Sequence, residues 1–371
     1  MRLTCAEIDR QALRHNFDGI KKKVGKDVKI MGIVKANAYG HGVIETSRSL
    51  VDFGIDHLGV GFLEEGIFLR EKGITVPILV LGGVLGHQVA HFLEHDLEIT
   101  VSSIEIAERI EQEIQANGKK KAKVHLKIDT GMERIGVRAE HALMFVERVC
   151  GLHHLDVVGI YSHFATSDEK DKSFANGQLE QFHSVLDSMQ KIGIEIPFKH
   201  IANSGAILDM PDSYCSMVRP GIMLYGIYPS EETSESVSLR PVLSLKSKVV
   251  FMKEVPAGKG ISYGRKYITP SKTRVATVPI GYGDGYSRRL TNNADVLIGG
   301  KRCPVIGTIC MDQLMVDIGF DLPVHVGDDV VLIGRDGSEM ISAWEIAHKV
   351  GTIPYEVLTG IAARVPRMIM N

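Results

Sequence analysis

The 371-residue sequence carries no excess of charge. Its 43 Lys and Arg are offset by 45 Asp and Glu, interspersed along the chain, for a formal net charge of −2. That balance removes the electrostatic case for a nucleic acid or an anionic membrane as partner, because both call for a basic surface. The Lys21-Lys22-Lys23 and Lys119-Lys120-Lys121 runs read as solvated helix ends and loops. A long apolar run is also missing. The longest, 76–85, is interrupted by proline and glycine and falls well short of the ~20 residues that span a bilayer. The opening residues, Met1-Arg2-Leu3-Thr4-Cys5-Ala6-Glu7, lack the apolar core of a signal peptide, so the cytoplasm is the expected compartment. Cysteine is sparse and unpatterned. Cys5, Cys150, Cys215, Cys303 and Cys310 are odd in number and form no Cys-x-x-Cys pair. Neither a disulfide framework nor a cysteine zinc site is expected, and most of the five read as buried or idle thiols. His87, His91 and His95 recur at a spacing that a metal could use. No carboxylate or cysteine partner is identifiable from spacing, so they read as an exposed helix face and no metal is expected.

What is present is a regular alternation. From residue 30 to about 220, short apolar runs begin near Ile30, His57, Ile78, Leu97, Val124, Val157, Phe198 and Met217. Amphipathic patterns separate them at 64–72, 104–116, 139–150 and 177–192, and another at 10–22 precedes the first run. Eight strands with intervening helices predict a covered parallel sheet, and the count favours a (β/α)8 barrel over an open sheet. Residues 230–237 are polar, acidic and aperiodic, and read as a linker. Beyond them the pattern becomes strand-like, with glycine-bearing turns and one helical stretch at 342–350. The expected organisation is a leading strand at 1–9 that packs with the carboxy-terminal domain, a barrel at 10–229, a linker at 230–237 and a mostly β domain at 238–371.

Chemistry-bearing residues collect where such barrels keep their sites, at the carboxyl ends of the strands. Lys35 follows the first run, and the small residues after it, up to Gly42, suit a loop wrapped around a ligand. A lysine there reads chemically as an amine, lowered in pKa by burial, that condenses with an aldehyde cofactor. The bland alternative is a surface lysine just past a strand. Lys127 and Asp129 end the fifth run, with Arg134 in the next loop. His163 follows the sixth, Asn203 and Ser204 the seventh, and Arg219, Gly221 and Ile222 the eighth. The Ser204 hydroxyl and the backbone N–H groups of Gly221 and Ile222 suit an anion such as phosphate, although an ordinary glycine turn would look the same. Residues 281–286, Gly-Tyr-Gly-Asp-Gly-Tyr, lack the strand–turn–helix setting of a dinucleotide loop and read as a turn.

The segment Val34-Lys35-Ala36-Asn37-Ala38-Tyr39-Gly40-His41-Gly42 resembles the pyridoxal-phosphate lysine motif of the alanine racemase family. So do, in the family's order, 127–136, Ser162-His163-Phe164-Ala165, Ala202-Asn203-Ser204, 219–226, Ser262-Tyr263-Gly264, 279–285, 307–312 and Ile353-Pro354-Tyr355-Glu356. The resemblance covers nearly the whole chain and implies an amino-terminal barrel with a carboxy-terminal β domain.

It also implies roles. Lys35 would hold pyridoxal 5'-phosphate covalently and then act as the base on one face of the substrate, and Tyr263 as the base on the other. A phenol ordinarily ionises near pH ~10, so the tyrosine needs help, for which His163 and Arg219 match. Arg219 would face the pyridine nitrogen and disfavour its protonation. Tyr39, Asn203, Ser204, Gly221, Ile222 and Tyr355 match cofactor-binding positions. Arg134, Met311 and Tyr282 match the substrate side. Cys310 and Asp312 match the layer behind it, and Asp168, Arg288 and Ile353 the access corridor. Two cations at one rim repel, and the lysine matching Lys127 is carbamylated in relatives, so a carbamyl group on Lys127 is expected. Tyr263 and Met311 would reach the other subunit of a head-to-tail homodimer. The expected reaction is interconversion of L- and D-alanine, supplying D-alanine for peptidoglycan. A racemase of broader specificity or for serine or basic amino acids ranks next. A decarboxylase of the same architecture and a cofactor-carrying barrel rank behind it.

Overall fold

The computed structural model describes residues 2–117 and 121–371, so the expectation for Lys119 and Lys120 lies outside the described residues. The chain divides into two compact units. One comprises Leu13–Ala38 and Val43–Arg240; the other comprises Met1–Ala12, Tyr39–Gly42 and Pro241–Asn371. No helix among the described residues is long and apolar enough to cross a membrane.

The first unit is built on parallel strands: β1 (Lys29–Ile33), β2 (His57–Val60), β3 (Ile78–Val80), β4 (Glu98–Val101), β5 (Ala122–Asp129), β6 (Leu155–Tyr161), β7 (Phe198–His200) and β8 (Met217–Val218). Their spatial order is β8-β1-β2-β3-β4-β5-β6-β7, and every neighbouring pair is parallel. β2, β3 and β4 are buried along their whole length, as strands covered on both faces must be. Backbone bonds from Ser216 N–H to Lys199 C=O (3.2 Å) and from Arg219 N–H to Ala202 C=O (2.9 Å) bring β7 and β8 together, so the sheet is a nearly closed (β/α)8 barrel.

The expected helices fall within a few residues of their positions, while the helix Val43–Phe53 is an addition the pattern reading did not contain. Arg10–Val24 starts where the Asp9 carboxylate accepts the N–H of Ala12 (2.8 Å), and its last turn carries Lys21, Lys22 and Lys23, which suits the negative helix end. The helix expected from Gly177 begins earlier, at Ser173. Asp171 accepts the Ser173 N–H (2.9 Å), which starts the helix, and Gly177 faces open space and does not interrupt it. Residues 139–141 form a 3-10 turn ahead of the helix Ala142–Cys150.

Along β5, polar His125, Lys127 and Asp129 alternate with apolar Val124, Leu126 and Ile128. Alternate residues of a strand share a face. His125 touches His200 of β7, and β5 and β7 are not neighbours, so the polar face is the one turned into the barrel. The β5–β6 register shifts between Val124 and His125, where Gly159 of β6 leaves room for the imidazole. A Cβ on Gly159 would lie 2.0 Å from His125 Nδ1.

The second unit is a twisted, mostly antiparallel sheet. The leading strand Cys5–Asp9 pairs antiparallel with β9 (Leu243–Lys248) and parallel with β16 (Arg367–Met370). The other main strands are β10 (Phe251–Val255), β11 (Thr273–Val278), β12 (Asp295–Ile298), β13 (Lys301–Ile306), β14 (Leu314–Asp317) and β15 (Asp329–Asp336), with short pairs at Gly260–Ile261 with Tyr267–Ile268 and at Glu339–Ile341 with β15. The run expected as one strand from 243 to 255 is split. Val249 N–H bonds Asp328 C=O while Val250 N–H bonds Thr277 C=O (2.9 Å each), so the chain changes neighbour there. Residues 230–237 have no regular structure, but they are tied to the first unit: Ser236 Oγ donates to Leu208 C=O (2.8 Å) and Glu232 accepts the Lys170 N–H (2.6 Å).

All five cysteines are free thiols. Only Cys303 is buried, and Cys150 is exposed. Among the described residues no cluster of side chains could hold a metal ion.

The Gly159→Ala variant should lose about 1–3 kcal/mol of stability, the usual effect of forcing atoms into a filled interior. Denaturant unfolding of the variant beside the parent chain reads this directly.

Candidate active site

Lys35 follows β1 and opens a turn that L-residues rarely adopt. Ala36, Asn37, Ala38 and Tyr39 have φ of 52°, 55°, 53° and 52°, a full left-handed turn that costs roughly 1–2 kcal/mol per residue. Local bonds hold it: Ala38 N–H donates to Val34 C=O (2.9 Å), and the Asn37 side chain accepts the Val43 N–H (2.9 Å). Glu65 clamps the two loops beside it, accepting the N–H groups of Ala36 and Gly61 at 2.7 Å each. Strain on this scale marks a segment whose shape serves a task. Lys35 is exposed at the rim, not buried as the sequence reading held. Its amine is nonetheless pulled below the ordinary lysine range, first by partial loss of water and then by Arg134 and Arg219, against an opposing pull from Glu65.

Arg219 follows β8 and is 4 % exposed. Its Nη2 donates to Ser162 C=O (2.7 Å), His163 Nδ1 (3.1 Å) and Ile201 C=O (3.2 Å), and Nη1 to His200 Nδ1 (2.9 Å). Burial pushes the guanidinium down to about 10, which leaves it a cation at neutral pH. Because a guanidinium only donates, His163 must accept at Nδ1 and keep its proton at Nε2. Burial, then Arg219, Lys127, Arg134 and Lys35, hold the His163 imidazole well below its ordinary pKa, so it is neutral. Lys127 is also buried, 4.8 Å above the Tyr161 ring. Burial first, then Arg219 and Arg134 against Asp129, hold its amine well below the usual lysine range. Asp129 does not pair with it closely. The Asp129 carboxylate accepts N–H groups of Gly131 (2.8 Å), Met132 (2.9 Å), Glu133 (3.2 Å) and Arg134 (3.2 Å), which shapes the loop carrying the exposed Arg134. Burial pushes that carboxyl up, but these N–H groups and Lys127 outweigh it and hold it below its ordinary range.

Asn203 caps the short helix Ser204–Asp209 by accepting the Ala206 N–H (3.1 Å). The buried Ser204 Oγ accepts N–H groups from Gly221 (2.9 Å) and Met223 (3.4 Å). The Gly221 N–H is thus engaged by Ser204, which directs the hydroxyl proton outward to a further acceptor. Ile222 opens a buried 3-10 turn, Ile222–Tyr225. Asp168 is half-buried, and its C=O accepts the Ser230 hydroxyl.

The second unit holds the other candidates. Tyr39 and Tyr355 have ring centroids 6.0 Å apart. Three loops are bonded together: Ser262 Oγ donates to Thr308 C=O (2.5 Å), Thr308 Oγ1 to Tyr263 C=O (2.7 Å), and Tyr282 N–H to Cys310 C=O (3.1 Å). Ser262 Oγ and Cys310 Sγ are 3.4 Å apart. Gly281 permits this close approach, since a Cβ there would lie 2.1 Å from Cys310 C=O. Tyr263, Tyr282 and Met311 project from this cluster with 73 %, 42 % and 53 % exposure. Behind them Arg364 bonds both Asp284 and Asp312 at 2.7 Å. Arg288 and Ile353 are exposed.

Comparison with known proteins closes the identification. Residues 8–229 match the alanine racemase N-terminal domain and residues 242–369 the alanine racemase C-terminal domain. The chain belongs to the alanine racemase family. It is therefore an isomerase, an amino-acid racemase. An alanine racemase of Halothermothrix orenii is 48 % identical over 370 residues, covering 100 % of this chain and 97 % of that protein. The structure of alanine racemase from Bacillus anthracis with bound L-Ala-P superposes with a TM-score of 0.93 at 39 % identity, covering 100 % of this chain and 96 % of that one. A histidine racemase from Leuconostoc mesenteroides subsp. sake superposes with a TM-score of 0.92 at 29 % identity, over 100 % and 98 % of the two chains.

Glu65 and His200 escaped the family motif reading, which included Ser162 without giving it a role. Glu65 holds the loops around Lys35, and Ser162 and His200 hold Arg219. No clear local signal marks His200, which is the one buried residue of its short strand and follows the polar Lys199.

Two measurements follow. Ala36→Gly removes a left-handed alanine but loosens the unfolded chain, so a gain of about 0.5–1 kcal/mol in denaturant unfolding is expected. For unmodified Lys127, the unfolded amine binds its proton up to pH ~10.4, while the folded amine releases it well below. Between the two values folding expels a proton, so stability rises with pH. In carbonate-free buffer the parent chain should gain more stability from pH 8 to 10 than Lys127→Met, whose curve lacks this contribution.

Proposed function

We propose that this racemase interconverts L- and D-alanine with pyridoxal 5'-phosphate, in the cytoplasm, as a head-to-tail homodimer that supplies D-alanine for peptidoglycan. The observation that carries the reading is the charge at the barrel rim. Lys35, Lys127, Arg134 and Arg219 all act on His163, while the oxygens of the nearby carboxylates Asp129 and Glu65 are engaged by loop N–H groups. Cations left without carboxylates of their own suit a phosphorylated cofactor and an amino-acid carboxylate, and the outward Ser204 hydroxyl suits the phosphate. The residues present therefore fit the group.

Lys35, Tyr39, His163, Asn203, Ser204, Arg219, Gly221, Ile222 and Tyr355 would hold the cofactor. When bound, it supplies an electron sink for charge at the substrate α-carbon. Lys35 Nζ takes or returns the proton on one face, and its depressed basicity leaves more of it in the free-amine form that a base needs. Tyr263 Oη of a second copy of the chain does so on the other face. Arg219 remains a cation and disfavours a proton on the pyridine nitrogen. Arg134, with Met311 and Tyr282, orients the substrate. A carbamyl group on Lys127 would turn a buried cation into an anion beside Arg134 and relieve their repulsion.

A racemase of different or broader specificity is the second reading, supported by the histidine racemase that shares the fold. A hydrophobic methyl-sized difference decides only ~1–3 kcal/mol, so specificity must be measured. Circular dichroism of L-alanine incubated with cofactor-loaded protein should decay to zero, while L-serine, L-histidine and L-lysine change more slowly. A constant alanine signal with a decaying one for another amino acid gives the second reading. Lys35→Ala should no longer turn yellow with the cofactor. Tyr263→Phe should stay yellow yet lose most of its rate from L-alanine, and full activity in both directions would remove Tyr263 from this role.

A further inference from the structure

Arg219 is a buried cation, and among the described residues no carboxylate lies within ion-pair distance of it. Its side chain instead enters a line of buried polar groups that runs across the barrel interior. Arg219 Nη1 lies 2.9 Å from His200 Nδ1, His200 Nε2 lies 2.9 Å from His125 Nδ1, and His125 Nε2 lies 3.0 Å from Glu98 Oε2. Both imidazoles are fully buried and Glu98 is 4 % exposed. Glu98 opens β4, at the end of the barrel opposite Arg219, which follows β8.

The donor inventory allows one arrangement of protons along this line. A guanidinium has no acceptor, so His200 Nδ1 must accept. A neutral imidazole that accepts at Nδ1 carries its proton at Nε2, so His200 donates to His125 Nδ1. The same logic puts the His125 proton at Nε2, where it is donated to Glu98. A second proton on either ring would set two N–H groups face to face and delete a bond. The opposite direction requires the Arg219 proton to have moved, step by step, onto Glu98. A free guanidinium is roughly 10^8-fold the weaker acid, and burial lowers Arg219 only to about 10, still far above a carboxyl, so that state is negligible.

The surroundings are shaped to this line. Gly159 clears the space that His125 Nδ1 occupies. Tyr161 stacks on His200 (centroids 4.8 Å apart, planes 2° apart) and shares a hydrogen bond with Thr100 Oγ1 (2.8 Å). Phe198 stacks on His125 (6.3 Å, 4°). The second oxygen of Glu98 faces His57 Nε2 at 4.0 Å. Burial pushes the Glu98 carboxyl up, but the hydrogen bond donated by His125, with a smaller pull from Lys123, outweighs it, so it sits below the ordinary range.

We propose that Glu98 is a positioning residue for the racemase site: through His125 and His200 it supplies the remote counter-charge of Arg219, accepts the last proton of the hydrogen-bond line that Arg219 directs, and so holds the guanidinium in place and protonated. The proposal rests, for its effect on turnover, on the reading that Arg219 contacts the cofactor. The line itself is a property of the barrel and is testable without that reading.

Nitrogen NMR of histidine-labelled, cofactor-loaded enzyme, or neutron diffraction, reports the ring protons. The expected result is Nε2–H on both His125 and His200. A proton at Nδ1 of either ring overturns the proposal whatever the activity. Glu98→Gln keeps the shape and an acceptor but removes the charge. With Arg219 still fixing the ring protons, it should leave both tautomers as they are and lower kcat for alanine on the order of tenfold or more with a smaller change in KM, while Glu98→Asp recovers part of the rate. Unchanged turnover in Glu98→Gln overturns the positioning role. If Glu98→Gln fails to fold, the ring protons of the parent enzyme still decide between the two directions. A parent enzyme with the stated tautomers that leaves alanine unconverted supports the line and refutes the reading of alanine as substrate.

Discussion

The site depends on keeping positive charge at the end of a barrel where little water reaches it. Moving a lone cation into such a place costs several kcal/mol unless other groups take over the work of hydration. Arg219 meets this with two backbone carbonyls and two imidazoles, all donated to at 2.7–3.2 Å. The same residue closes the barrel, since its N–H bonds Ala202 C=O. Closure of the sheet and fixation of the cation are therefore one event. His163 is neutral, with its proton at Nε2, because Arg219 occupies its other nitrogen.

A second constraint is conformational. Four consecutive left-handed residues after Lys35 are unfavourable in any isolated peptide. They persist because the Asn37 side chain, the Ala38 N–H and the Glu65 carboxylate each close a bond that the ordinary right-handed path would lose. Glu65 is drawn into this by position: it lies in the first turn of the helix after β2, where an acidic residue meets unpaired N–H groups. Within each unit, then, reactive side chains sit on backbone whose shape is held by groups that never touch a substrate.

Much of the architecture was legible in advance. The parallel strands of the barrel are short apolar runs, and their period and spacing are read from residue type alone. Strand ends and helix starts were less so. Ser173 begins its helix through an aspartate two residues earlier, and the split at Val249–Val250 follows from two different neighbouring strands. Motif order singled out Lys35, Arg134, His163, Ser204 and Arg219 as candidates. It did not reveal that Lys35 is exposed, that Gly221 N–H serves Ser204, or that Asp129 is taken up by its own loop. Each of these is a choice of hydrogen-bond partner, and several partners were chemically available to each group.

The sequence by itself determined the order of elements, the placement of polar residues at the ends of apolar strands, and membership of the racemase family, because these depend on local pattern and on residue identity. Only the tertiary structure decided that Glu98, His125, His200 and Arg219 form one line. They come from four strand regions spread over 122 residues of sequence, and no local rule relates them. They meet because barrel closure turns alternate positions of separate strands toward a common interior, where each buried donor must find an acceptor.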